Sequence, residues 1–204
     1  MTSSADGTKR SLRQRKRAAT EQAIVDAAMK LFALRGYAGT TVDDIAAAAG
    51  VARRTLFRYF PTKEDILLDP RRLDREGMLA GLRERRVGED DLARVLRVLA
   101  TMQARAFAMF RPSHQRVLHR LSHRELAGRT LTLMQLSRDV IVEGLVPRRA
   151  TRDERLRARV LAMACVVAVD AAITTWIESG MKDDLQKLVA QAGGHLREGL
   201  SRRA

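Results

Sequence analysis

A short run of arginines is the part of the chain whose side chains could make the most specific contacts. Arg53, Arg54 and Arg58 lie within six positions, and no acidic residue separates them. A guanidinium can donate two parallel hydrogen bonds, either to the O6 and N7 atoms of guanine or to a phosphate group. Because the exposed face of an ordinary helix usually mixes positive and negative side chains, this pattern predicts contact with nucleic acid. The alternative is a structural helical hairpin whose arginines are simply solvated.

The charge of the whole chain agrees with that prediction. The 204 residues include 38 Lys and Arg against 24 Asp and Glu, which gives a formal net charge of +14. Such an excess favours a polyanionic partner, either nucleic acid or an anionic membrane surface. A genome that prefers arginine codons would produce the same excess, so the positions of the charges must decide between these explanations.

A basic run near the amino terminus is a second candidate contact. Residues 1–12 are predicted to be a disordered basic arm. The arginines and lysine that follow have no acid among them: Arg13, Arg15, Lys16 and Arg17. These side chains could reach phosphates or the minor groove of a duplex. The alternative is that the arm only keeps the protein soluble.

Three helical segments are predicted to position the arginine run. Apolar residues recur at helical spacing over 24–32, and Gly36 is typical of a helix end. Thr41 is the predicted N-cap of a second helix, residues 42–49, whose first turn is acidic. A tight glycine turn separates it from a third helix, residues 52–59, which carries the arginines. This order of elements predicts a helix-turn-helix.

The stretch 23–65 resembles the DNA-binding domain of TetR-family transcriptional regulators. The positions that match the family pattern are spread through it: Phe32, Gly36, Tyr37, Thr41, Ile45, Ala46, Gly50, Val51, Thr55, Leu56, Phe57, Tyr59, Phe60 and Lys63. The resemblance implies an all-α protein that forms a homodimer through its last two helices. It also implies a sequence-specific regulator of transcription, and the polar residues 1–7, which do not form an export signal, predict a cytoplasmic location. By the family's default this would be a repressor, which a small-molecule ligand releases from a pseudo-palindromic operator.

The resemblance also implies roles for individual positions. The recognition-helix positions that face base edges or nearby phosphates are Arg53, Arg54, Thr55 and Arg58. Phe57 and Tyr59 match aromatic positions that lean on the sugar-phosphate backbone, although Tyr is commoner than Phe at position 57. Thr41 and the amide of Val42 match a helix start that meets a phosphate. Lys63 matches a lysine that contacts a phosphate.

The rest of the chain keeps a helical pattern without strand-like alternation. Further helices are predicted over 63–86 (broken near Pro70), 89–110, 112–122, 124–145, 152–179 and 183–200. Together with the first three, they make an all-α fold of about nine helices. We predict a DNA-binding domain over 13–62, with its motif at about 41–60, and a helical ligand-binding and dimerisation domain over 63–204. Residues 152–200 suit a dimer interface, and the alternative is ordinary core within one chain.

The middle helices carry candidates for lining a ligand pocket, since members of the resembled family commonly bind a small molecule there. The flexible, aromatic or unexpectedly charged residues in this region are Met102, Phe107, Phe110, Met134, Asp170 and Trp176. The alternative is that they belong to the core and that Asp170 pairs with an arginine, across a dimer for example. Residues 173–177 loosely resemble the matching part of family members that sense acyl ligands, including those near mycofactocin gene clusters.

Enzyme and metal chemistry are poorly supported by the sequence. Cys165 is the single cysteine and lies among Val and Ala, so it is predicted to be a small buried hydrophobe. His119 and His123 could share a helix face, but no zinc signature or third ligand accompanies them. The chain is therefore predicted to be neither an enzyme nor a holder of a metal or cofactor.

Two rival functions remain open at this stage. One is a basic architectural DNA-binding protein without ligand control, which predicts weak sequence preference. The other is a protein that binds a membrane surface through its arginines. A membrane-spanning segment is not expected, because Asp170 interrupts the most apolar stretch, residues 160–177.

Overall fold

The structure is a computed structural model that describes residues 4–69, 71, 73–108, 114, 117 and 123–199, and the regular elements in these ranges are helices. Eight α-helices lie in these ranges: α1 (Ser4–Arg35), α2 (Val42–Ala48), α3 (Arg53–Tyr59), α4 (Arg75–Arg83), α5 (Asp91–Ala108), α6 (His123–Leu145), α7 (Arg152–Glu178) and α8 (Leu185–Glu198). A short 3-10 turn, Glu64–Ile66, follows α3. The prediction of an all-α fold is confirmed. The predicted helix over 112–122 falls largely outside the described residues.

The chain divides into two compact units, Met1–Asp69 and Pro70–Ala204. The first unit thus extends seven residues beyond residue 62, the predicted end of the DNA-binding domain. The 3-10 turn belongs to the first unit because Ile66 is buried and the turn packs against α1. Thr62 and Asp65 cap this turn reciprocally, with the Thr62 amide donating to Asp65 at 2.9 Å.

Helix α1 begins much earlier than the sequence pattern indicated. Residues 1–12 were predicted to be a disordered arm, but α1 starts at Ser4, and for residues 4–12 the prediction was wrong. Lys, Arg, Leu, Gln and Ala, which all have high helix propensity, predominate over 9–19 and favour continuation of the helix, whereas Ser, Asp, Gly and Thr make up most of 4–8. The helix therefore continues toward the amino terminus well before its first buried residue, Ile24.

The core of the first unit joins all three of its helices. Its fully buried large side chains come from α1, α2, α3 and the segments beside them: Ile24, Val25, Met29, Ile45, Leu56, Phe60 and Ile66. Aromatic contact adds to this core, since the rings of Phe32 and Tyr37 lie 5.1 Å apart. Burial of these side chains stabilises the arrangement of α2 and α3 that the next section describes.

In the second unit α5, α6 and α8 pack against α7, and α4 packs against α5 and α6. The predicted helix over 63–86 was wrong in its first half, because α4 starts only at Arg75, where Asp74 caps the amide of Gly77 at 2.8 Å. The shared core consists of Met78, Leu79, Leu82, Val95, Leu96, Val98, Leu99, Val140, Ile141, Ala162, Cys165, Val166, Val169, Ala172 and Val189. Helix α7 contributes to it along its length and contacts α5, α6 and α8.

One described helix, α7, is long and apolar enough to cross a membrane when judged by length and composition alone. About a third of its most apolar window (33%) is buried within the chain. Its outward face is apolar as well, since Leu156, Val160 and Val167 are each more than half exposed. Part of the segment predicted to form a dimer interface, residues 152–200, is therefore core within the chain. Ala168, Ala172 and Val189 belong to that part.

Candidate nucleic-acid interface

The start of α2 is held by a reciprocal cap. The amide of Asp44 donates to the hydroxyl of Thr41 at 3.1 Å, and the amide of Thr41 donates to the carboxylate of Asp44 at 3.0 Å. Hydrogen bonds from the side chain and then the backbone of Thr41 lower the pKa of Asp44, outweighing its desolvation, and Arg35 lowers it further. The predicted N-cap is confirmed, and it orients the first turn of α2.

A tight turn then sets α3 across α2. Gly50 has a φ of +66°, a left-handed backbone conformation that residues with a side chain rarely adopt. The amide of Val51 donates a hydrogen bond to the carbonyl of Ala46 at 3.0 Å, which closes the turn. Helix α3 starts directly afterwards at Arg53, so the predicted helix-turn-helix is confirmed in its local geometry.

Burial of one side of α3 leaves its arginines outside. Leu56 is fully buried and anchors the helix, whereas Arg53, Arg54 and Arg58 are exposed. Phe57 is also exposed, while Thr55 and Tyr59 are half-buried. The helix thus presents three guanidinium groups to solvent, as an element that contacts a polyanion requires.

Two of these arginines have defined neighbours. The Nη1 atom of Arg53 donates to Asp43 at 2.8 Å, and its guanidinium carbon lies 5.4 Å from the centre of the Phe57 ring. The guanidinium carbon of Arg58 lies 5.4 Å from the centre of the Tyr59 ring. Sequence reasoning missed the Asp43 contact, because it interpreted that residue only as an acid at a helix amino terminus. The sequence did carry a signal for this contact, since Asp43 and Arg53 are opposite charges ten residues apart on either side of the tight turn at Gly50.

Lys63 is tied to the loop that precedes α2. Its Nζ atom donates to the carbonyls of Tyr37 at 2.8 Å and Thr40 at 3.0 Å, and it lies 4.0 Å from the centre of the Tyr37 ring. The Tyr37 hydroxyl donates to Glu64 at 2.6 Å. Burial pushes the pKa of Glu64 upward, but hydrogen bonds led by that from Tyr37 lower it overall. An ammonium group has three N–H donors, and Lys63 uses two of them in the hydrogen bonds to the carbonyls of this loop.

The basic residues before the domain core extend along α1. Arg15, Lys16 and Arg17 are exposed on this helix. The side chain of Arg13 lies outside the described residues. These positions lie on the same helix as the buried part of α1. Their distance from that part therefore follows from the rise per residue of an α-helix.

The predicted ligand-lining residues belong to the second unit, and two of them are in direct contact. The rings of Phe107 and Trp176 meet edge to face with centres 4.9 Å apart, and the Trp176 indole donates to the carbonyl of Asp183. Met102 and Met134 are half-buried and pack against the core. Asp170 is half-buried and already interacts within the chain. Phe110 lies outside the described residues.

Cys165 is part of the core of the second unit. Cys165 is fully buried, and this burial, with a smaller effect of Asp90, raises the pKa of its thiol to about 12. It is therefore a neutral, inaccessible thiol at neutral pH, as predicted. Among the residues that the structure describes, no three His, Cys, Asp or Glu side chains are grouped to hold a metal. His119 lies outside them.

The sequence is similar to known bacterial regulators. The pattern of bacterial regulatory proteins of the tetR family matches residues 24–69. The HTH-type transcriptional regulator TcmR of Streptomyces glaucescens is 43% identical over 81 residues, which are 40% of this chain and 36% of that protein. The fatty acid metabolism regulator protein of Bacillus subtilis is 30% identical over 176 residues, covering 81% of this chain and 87% of that protein.

The fold is similar to a solved structure over most of its length. The fatty acid degradation regulator FadR from Bacillus halodurans superposes with a TM-score of 0.53 and 25% sequence identity. The match covers 88% of this chain and 98% of that one. Similarity thus extends over both units, whereas the match to TcmR spans only about a third of that protein (36%).

Proposed function

Because the chain belongs to the TetR family of bacterial regulatory proteins, we propose that it is a cytoplasmic, homodimeric transcriptional repressor that binds a pseudo-palindromic operator. The observation that carries the proposal is the exposed arginine face of α3, set on a capped helix-turn-helix. In this role α3 enters the major groove, where arginine reads guanine through paired hydrogen bonds.

The first unit supplies the remaining contacts with the duplex. Thr55 joins the three arginines at base edges or nearby phosphates, and Phe57 and Tyr59 lie against the sugar-phosphate backbone. Thr41 and the Val42 amide meet a phosphate at the start of α2, and the basic segment of α1 that contains Arg13, Arg15, Lys16 and Arg17 reaches flanking phosphates. Lys63 contacts a phosphate through the donor that the loop before α2 does not use. If about 6–10 phosphates are contacted, affinity falls about 10³–10⁵-fold between 50 and 200 mM salt.

A second copy of the chain covers the outward face of α7. Leu156, Val160 and Val167 are exposed, and their spacing puts them on one side of the helix. An apolar face of this kind on a regulatory protein is typical of an interface between subunits. Two-fold pairing would hold two α3 helices at successive major grooves, about 34–36 Å apart or a multiple of that distance.

The second unit binds a ligand with a long acyl chain, and binding releases the operator. A relative that matches 81% of this chain is named for fatty acid metabolism, and FadR of Bacillus halodurans is named for fatty acid degradation. The half-buried Met102, Phe107, Met134 and Trp176 offer the flexible and aromatic surface that suits an apolar chain. Asp170 and Phe110 complete the candidate lining.

The proposal is tested with the full-length protein in two steps. An operator is first selected from a pool of random duplexes and located in the genome by footprinting. Fluorescence anisotropy on that operator is then measured with palmitic acid, palmitoyl-CoA or coenzyme A alone. We expect a protected site with two-fold symmetry and release by one of the acyl compounds, but not by coenzyme A. Equal binding to all duplexes would contradict the regulator, and retention with both acyl compounds would contradict the ligand class.

The second candidate is a basic architectural DNA-binding protein without ligand control, which the net charge of +14 favours. It predicts a salt dependence that is the same for every duplex. The selection step separates the two functions, because an architectural protein would enrich no defined site.

A further inference from the structure

The ion pair between Asp43 and Arg53 links the two helices of the helix-turn-helix. Asp43 lies in the first turn of α2, and Arg53 is the first residue of α3. Their charged groups are 2.8 Å apart, although both side chains are 62% exposed. Exposed pairs contribute little to folding stability, so stability alone is a weak reason for this acid to lie here.

An acid at this place also has an electrostatic cost if the surface binds DNA. Asp43 brings a negative charge beside the arginine face of α3, where it opposes the approach of phosphates. Removing it should, on charge alone, strengthen binding to every duplex. A role that offsets this effect must depend on the geometry that Asp43 imposes on Arg53.

Arg53 is held from two sides. Asp43 accepts a hydrogen bond from Nη1, and the Phe57 ring lies under the guanidinium at 5.4 Å. A guanidinium carries five N–H donors in a fixed planar fork, so one occupied donor leaves others for a paired contact. Fixing the long side chain in advance reduces the conformational entropy that is lost on binding. Arg58 differs, since it lies over the ring of Tyr59.

We propose that Asp43 is a positioning residue for base readout: it orients Arg53 toward one guanine in each half-site, and so it determines sequence preference at that base pair. The proposal rests on the proposed function and adds a specificity device to it. Asp43 need not touch DNA in this role. Its effect passes through Arg53 alone.

The test is a double-mutant cycle in the full-length protein. Asp43→Ala, Arg53→Ala and the double variant are measured by anisotropy on the selected operator. The same measurements use a random duplex and a set of operators with each half-site base pair changed in turn. Arg58→Ala, with and without Asp43→Ala, is the matched control. Asp43→Asn, which keeps the side-chain size, repeats the test if the alanine variant unfolds at a lower temperature.

We expect Asp43→Ala to lower the ratio of operator to random-duplex affinity about tenfold, within the roughly 5–150-fold range for a lost paired contact with a base. The preference should be lost at the same base pair that Arg53→Ala affects. In the Arg53→Ala protein, adding Asp43→Ala should not change this ratio further. In the Arg58→Ala protein, adding Asp43→Ala should lower the ratio as much as it does in the unmodified protein.

Two results would overturn the inference by itself. One is a uniform gain in affinity for all duplexes with the base preference intact, which would make Asp43 a simple electrostatic barrier. The other is an effect on the ratio that adds fully to that of Arg53→Ala. If the unmodified protein prefers no sequence at all, the proposed function fails and this inference fails with it.

Discussion

The ammonium group of Lys63 lies over the ring of Tyr37, 4.0 Å from its centre, and donates to the carbonyl of the same residue at 2.8 Å. This contact joins the residue that follows α3 to the loop between α1 and α2. It therefore connects the two ends of the helix-turn-helix. Thr40, whose carbonyl receives a second bond from Lys63, is almost completely buried.

Lys63→Met should lower the free energy of unfolding by about 1.5–3 kcal/mol, the range for hydrogen bonds to a charged group. The loss arises because the carbonyls of Tyr37 and Thr40 would lose their donor. Urea denaturation followed by circular dichroism measures it. Tyr37→Phe removes the hydroxyl bond to the charged carboxylate of Glu64, so we expect a loss in the same range of about 1.5–3 kcal/mol from it. Unchanged stability with weakened DNA binding would instead identify Lys63 as a phosphate contact only.

Arg53→Ala together with Arg58→Ala should abolish the specific footprint. Each lost paired contact with a base costs about 1–3 kcal/mol of discrimination, so two such losses reduce specific affinity at least about 30-fold. Arg148→Ala with Arg149→Ala removes the same charge from exposed positions in the second unit and serves as the control. Operator affinity that survives in the first pair would show that α3 is not the recognition helix.

Thr41→Ala should destabilise the first unit by about 0.5–2 kcal/mol at neutral pH, because it removes the N-cap of α2. The pH dependence should change as well. Thr41 lowers the pKa of Asp44 from its usual 3.8. This stabilisation is therefore present above pH 3.8 and is lost as the pH falls through the lowered value in the folded state.

Thermal unfolding from pH 2 to pH 7 measures that dependence. The unmodified protein should lose stability below about pH 4 more steeply than the Thr41→Ala variant. Parallel curves for the two proteins would contradict a role for the cap in the titration of Asp44.

Two glycines of α6 should respond in opposite directions to alanine. A Cβ at Gly144 would lie 3.1 Å from the Cβ of Leu82 and 2.5 Å from its Cδ1, so the buried Leu82 would have to move. A Cβ at Gly128 would have nothing within 4 Å. Gly128→Ala should therefore raise the free energy of unfolding by up to about 1 kcal/mol through helix propensity, and Gly144→Ala should lower it. Equal gains from both would contradict the close packing of α4 on α6.

Val160→Glu should convert a dimer into a monomer. A buried carboxylate at each copy of the interface would have no partner, which is strongly unfavourable. Sedimentation velocity measures the mass, and operator affinity should fall because one subunit occupies only one half-site. Val87→Glu adds the same charge at a fully exposed loop position and should leave the mass unchanged. A Val160→Glu protein that remains dimeric would exclude this face of α7.

Most of the predictions that the structure confirms depend on local patterns in the sequence. The cap at Thr41 and the extent of α3 depend on residues within a few positions of one another, as does the turn at Gly50. These features could be predicted from spacing and residue type. The helical start of α1 was missed because the basic run over 9–17 has no apolar period, and because most of residues 4–8 are Ser, Asp, Gly or Thr, whose helix propensity is low. The late start of α4 was missed because the break in the predicted helix over 63–86 was placed near Pro70, whereas the helix begins only at Arg75, after the cap at Asp74.

Residue type and spacing by themselves determined that this protein is helical, strongly basic and equipped with a helix-turn-helix whose outer face carries arginine. Only the tertiary structure decided that Lys63 donates to the carbonyl of Tyr37 and that Arg53 donates to Asp43. It also decided which residues of α7 are buried: Ala168 and Ala172 are core, while Val160 and Val167 are exposed. The physical reason is that a helical repeat specifies which side of a helix is apolar. The partner for that side, and the partner for each charge, depend on how distant segments pack together.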